Sequence, residues 1–145
     1  MVIKKIIAPL LSTFLLTGIV STTAVAKPQQ KHKPFLIQHK LPHLTKKIKM
    51  LWDDQELALT SEQKKELLKV RKETLIGVKK LAKKIFPLEN EITKAAKKGA
   101  KPQTLEEKVK KLADLRAQAT MVHLNCIYKT KQILTPHQLK ILKQK

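Results

Sequence analysis

Leu67, Arg71, Leu75, Val78, Ala82, Ile85, Leu88, Ile92 and Ala95 recur at spacings of three or four. That period lines them up along one side of an α-helix and fits no strand. Thr60-Ser61-Glu62-Gln63 precedes the run as a capping box: the Thr hydroxyl accepts from the Gln63 N–H, and the Gln63 side chain reaches back to the Thr60 N–H. Lys97-Lys98-Gly99 closes it, with positive charge in the last turn and glycine at the stop. A long helix is expected over about 61–98, kinked or split at Pro87. Leu105, Val109, Leu112, Arg116, Ala119, Val122 and Cys126 mark a second stripe that runs on to Ile133, and Thr104-Leu105-Glu106-Glu107 reads as the capping box that opens it. Before these two, Leu41, Leu44, Ile48 and Leu51 predict a short helix over about 42–53, with Pro42 in its first turn and Trp52 beside it. After them, Thr135-Pro136-His137-Gln138 opens a last short helix over about 136–144, with Leu134 stapled onto Leu139. No segment alternates as a strand would.

The pattern predicts an all-α domain whose long helices outgrow a globule. A 38-residue helix is about 57 Å long, whereas a compact domain of this size has a radius of gyration near 13 Å. The expected architecture is an elongated antiparallel helical hairpin with short flanking helices. Two long helices bury only one stripe each, and large apolar residues lie off those stripes: Leu68, Ile76 and Phe86 on one, Leu115, Met121, Leu124 and Tyr128 on the other. A homodimer, or an apolar face used for binding, is the expected consequence.

Residues 1–26 follow different rules. Lys4 and Lys5, an apolar run from Ile6 to Val20 and Ala24-Val25-Ala26 form a secretory signal peptide with cleavage expected after Ala26. Residues 27–41, with two prolines and several charges, read as a flexible basic arm, and 42–145 as the helical domain. The 145-residue chain carries 31 basic and 11 acidic residues, a net charge of +20. Arg71 and Arg116 are its only arginines. Lysine gives a solvated, sequence-blind positive field, while bidentate reading of bases favours arginine. With five aromatic residues in all, nucleic acid is not an expected partner. Acidic proteins are, and a basic amphipathic helix also fits an anionic lipid surface. Three glycines and one cysteine exclude phosphate loops, CxxC sites and disulfide frameworks. No paired carboxylates or nucleophile triad are evident, so no enzyme and no cofactor are expected.

Leu59-Thr60-Ser61-Glu62-Gln63 and Leu134-Thr135-Pro136-His137-Gln138 are two copies of L-T-x-x-Q, 75 residues apart. Their placement in an exported, helical, basic chain resembles the LTxxQ family of periplasmic proteins, which includes the Spy chaperone and the stress regulator CpxP. The stretch from Ile127 to Pro136 is similar to the end of the third helix in the Spy branch. The resemblance implies a periplasmic, cradle-shaped homodimer. It also implies ATP-independent binding of unfolded or partly folded proteins, or docking on the periplasmic domain of a sensor kinase. Leu59, Thr60, Gln63, Leu134, Thr135 and Gln138 are then structural caps. The candidates for client contact are Trp52, Lys64, Lys65 and Lys72 together with the off-stripe apolar residues.

The alternative is a metal-binding sensor or regulator of an envelope-stress response, as some relatives bind zinc, nickel or cobalt. His39 and His43 stand at i,i+4 and His123 and Cys126 at i,i+3, spacings that put two ligands on one helix face. Ala119-Thr120-Met121-Val122-His123 resembles the corresponding stretch of a metal-sensing relative. Against this, Pro42 interrupts the first pair, and Ile127 stands where an acid or methionine would join the second. Cys126 on the core stripe reads as a buried thiol.

Overall fold

The computed structural model describes residues 33–39 and 41–145. The expected signal peptide, its cleavage site and residues 27–32 of the arm lie outside them. The described residues contain four helices and no strand: α1 (Leu44–Met50), α2 (Ser61–Lys97), α3 (Pro102–Ile133) and α4 (Pro136–Gln144). None is long and apolar enough to cross a membrane.

Local chemistry sets most of these boundaries. Both capping boxes at the L-T-x-x-Q motifs form: the Thr60 and Thr135 hydroxyls accept from the N–H groups of Gln63 and Gln138, and each glutamine side chain accepts from its own cap N–H. Gly99, at φ 81°, supplies the left-handed residue that ends α2. The helix passes unbroken through Pro87, so the expected split is absent. The capping box expected at Thr104 does not form either. Pro102 takes the first helical position, two residues earlier, because its ring already holds helical φ. Thr104 is then inside the helix, and its hydroxyl donates to the Lys101 carbonyl at 2.7 Å.

The first helix is also shorter than its periodicity suggests. It starts at Leu44, with Pro42 outside, and stops at Met50. Beyond it the Asp54 carboxylate accepts from the Leu57 N–H at 2.9 Å and the Glu56 N–H at 3.1 Å. This Asx-type turn competes with helical continuation. Ala58 closes the turn at φ 41°, its N–H donating to the Asp54 carbonyl.

Partners across α2 and α3 pair rising with falling numbers. Gln63 bonds the Ile133 carbonyl, Glu73 pairs with Lys129, Glu89 with Arg116 and Glu91 with Lys108. Two apolar cores form along this contact. The first gathers Ile48, Leu57, Leu67, Leu134, Ile141 and Leu142 from α1, the 51–60 connection, α2 and the C-terminal elements. The second holds Phe35, Ile85, Leu115 and Ala119. Gly77 sits where the helices approach closely; a Cβ there would stand 3.2 Å from the Val122 side chain.

Residues 33–37 are not the loose arm that their composition suggests. Phe35 is buried in the second core. The Leu36 N–H donates to the Thr120 hydroxyl at 2.8 Å. Arg116 donates to the Lys33 and Phe35 carbonyls at 3.2 Å each while holding Glu89 at 2.8 Å. One guanidinium thereby ties the segment to both long helices.

Candidate functional site

The two L-T-x-x-Q motifs meet. The Gln63 and Gln138 side-chain amides form a reciprocal pair, each nitrogen donating to the other's oxygen at 2.9–3.0 Å. Each amide also donates once more, Gln63 to the Ile133 carbonyl and Gln138 to the Leu57 carbonyl, both at 3.0 Å. Each oxygen in turn accepts its own cap N–H. Every donor and acceptor of both amides is therefore used. This joins the starts of α2 and α4, the end of α3 and the 51–60 connection. Sequence reasoning identified each box but not their contact; the repeated glutamine at the same place in both motifs was the available signal.

The candidate contact residues divide by exposure. Leu68, Ile76, Met121 and Tyr128 are 54–63% exposed. Lys65 and Lys72 are also exposed. Trp52 is half-buried against the first core, and Phe86 is half-buried against the second. Leu124 is half-buried too. Leu115, expected off the stripe, is a core residue at 8% exposure. Conversely Leu75, expected in the stripe, is 55% exposed. The buried line of α2 runs through Leu67, Val70 and Ile85. Leu68, Arg71 and Leu75, at spacings of three and four, therefore form a row on its flank. Met121, Leu124 and Tyr128 make a similar row on α3. Lys64 sits at one end of the α2 row, with its ammonium 5.7 Å from the Trp52 ring centre and 3.0 Å from Asp53.

Where α1 meets α2 there is a cavity of about 230 Å³ with almost wholly apolar walls. Ile48, Trp52, Leu67 and Leu68 line it, and Lys49 and Arg71 stand among the lining residues.

Of the four possible metal ligands, His39 is exposed. His43 stacks on His123 with ring centres 4.6 Å apart and planes 17° apart, and Phe35 stacks on His123 at 5.1 Å. Cys126 is a buried free thiol, 3.8 Å from the Thr45 hydroxyl. Near-parallel rings hold their in-plane lone pairs in separate planes, not aimed at one centre. Among the described residues no three His, Cys, Asp or Glu side chains gather as a metal site. Loss of water on burial depresses the His123 pKa, and so does neighbouring His43; the Pro42 carbonyl opposes them. His43 is lowered as well, by desolvation first and then by Lys33 and Lys46. The His123 Nδ1 is buried without a hydrogen-bond partner.

Compared with family models, curated proteins and solved structures, the chain finds no match.

Proposed function

We propose that this chain is an exported, ATP-independent chaperone of the LTxxQ type that binds unfolded or partly folded proteins in the periplasm and suppresses their aggregation. In this reading α2 and α3 form an elongated antiparallel hairpin, and two copies pair into a cradle-shaped homodimer. The single observation that carries it is the set of large apolar side chains left open on helices that otherwise present lysine. Leu68, Leu75, Ile76, Met121 and Tyr128 are each more than half exposed, on both long helices. Scattered apolar contacts suit many partners and hold none tightly. The lysines supply attraction for acidic segments that acts at a distance and weakens with salt. No nucleotide chemistry is needed: release follows from weak affinity or from folding of the client. Docking on a sensor-kinase domain would use the same surface.

The test is suppression of light scattering by a chemically denatured enzyme diluted into buffer without ATP. Wild-type protein is expected to suppress it at near-equimolar ratio. Leu68→Ser/Ile76→Ser and Met121→Ser/Tyr128→Ser should each lose most of that effect while keeping their helicity. Undiminished aggregation with the wild type, or full activity in both double variants, overturns the reading.

A further inference from the structure

The cavity between α1 and α2 has a chemistry that client binding does not require. Ile48, Trp52, Leu67 and Leu68 form most of its walls beside Thr45, Lys49 and Arg71, and hardly any of the exposed wall is polar. Such a space offers water few partners and favours an apolar occupant. At about 30 Å³ per water, 230 Å³ is room for roughly eight water-sized groups. One medium-length alkyl chain fits that volume.

The cations at the cavity indicate the other end of the occupant. Lys49 and Arg71 contribute to the lining, and neither pairs with a carboxylate among the described residues. Asp53, next to Trp52 in the chain, is already held by Lys64. The two arginines of this lysine-rich chain differ in the same way. Arg116 spends its guanidinium on Glu89 and two backbone carbonyls. Arg71, half-buried, has no such partners among the described residues. A planar fork of donors beside an apolar cavity matches a carboxylate at the end of a hydrocarbon chain.

We propose that this cavity binds one medium-chain fatty acid, its alkyl chain against Trp52, Leu67 and Leu68 and its carboxylate on Arg71. The site does not depend on the chaperone reading and stands or falls without an aggregation assay.

Trp52 is the sole tryptophan of the chain, so its emission reports the cavity. The full chain is titrated with decanoate below its micelle concentration, and with decanol, decyltrimethylammonium and acetate. Decanoate should shift the emission saturably, with one site per chain by calorimetry. It should bind more tightly than octanoate by roughly fourfold per added methylene. Decanol should bind more weakly, and the cationic amphiphile and acetate should not bind. Arg71→Gln should weaken decanoate tenfold or more and leave decanol unchanged. Leu68→Gln should weaken both, with helicity checked by circular dichroism. Leu68 is half exposed and Arg71 pairs with no carboxylate among the described residues, so both variants should keep the fold. Equal affinity for decanol and decanoate, an Arg71→Gln variant indistinguishable from wild type, or no saturable response would overturn the proposal. So would an emission change that follows protein concentration alone, since a second copy of the chain would then fill the cavity.

Discussion

Gln138 is a buried polar side chain, 7% exposed, that completes four hydrogen bonds. Truncating it removes the amide pair and leaves the Leu57 carbonyl and the Thr135 N–H without their partner. Gln138→Ala should cost about 2 kcal/mol in urea unfolding. Because Gln63 and Gln138 share two of these bonds, the double Ala variant should cost less than the two singles together. Thr60→Ala and Thr135→Ala, which remove only a cap, should cost about 1 kcal/mol each. The stacked histidines add a pH dependence. Both are lowered from their ordinary value of 6.5 in the folded chain. Between the lowered value and 6.5 the unfolded chain binds more protons, so stability rises with pH there. It should be complete above about pH 6.5, fall as the histidines of the unfolded chain take up protons, and level off once the stacked rings of the folded chain titrate too. His123→Phe should flatten that slope in thermal melts between pH 5 and 7, and an unchanged slope would assign it elsewhere. The capping motifs were legible because they are chemistry among four neighbouring residues. Their contact was not, because it joins residues 75 positions apart.

At the scale of the helices, legibility depended on how many faces are apolar. The existence, type and approximate ends of α2, α3 and α4 follow from period and caps. The phase of the stripe does not. α2 carries leucines or isoleucines at 67, 68, 75, 76, 81, 85, 88 and 92, so more than one line through them satisfies the 3.6-residue repeat. Packing against α3 and, for Leu67, against the first core chose Leu67, Val70 and Ile85 and left Leu75 outside. Leu115 moved inward for the same reason, to meet Ile85 and Phe35. Phe35 itself could not be placed, since nothing local to residues 33–39 announces the Arg116 clamp. Gly77 allows the close passage of α3 at Val122, and even a single added methyl would stand tight there. Gly77→Val should cost about 2 kcal/mol by overpacking. Trimming the opposing side with Val122→Ala should recover part of it in the same unfolding experiment.

Charge acts on the whole molecule, and it acts on folding and on binding with opposite signs. A net charge of +20 repels itself in the compact state. The eight ion pairs among the described residues engage only a few of the lysines, and most are exposed and contribute little. Raising salt from 0.01 M to 0.15 M shortens the screening length from about 30 Å to about 8 Å. The melting temperature should therefore rise, while, if the proposed chaperone function holds, the affinity for an acidic, unfolded client falls. Both measurements in one salt series separate the two effects. A melting temperature that falls with salt would show that attraction, not repulsion, dominates the folded charge distribution.

The first core draws Ile48 and Leu67 from early in the helical region, and it is closed by Leu134, Ile141 and Leu142. A growing polypeptide therefore cannot finish that core as it is made. Until residues 138–142 have been synthesised, Ile48, Leu57 and Leu67 lack their cover, and Gln63 lacks its amide counterpart. Ribosome-bound fragments that stop before α4 should consequently remain open to proteases at the α1–α2 junction.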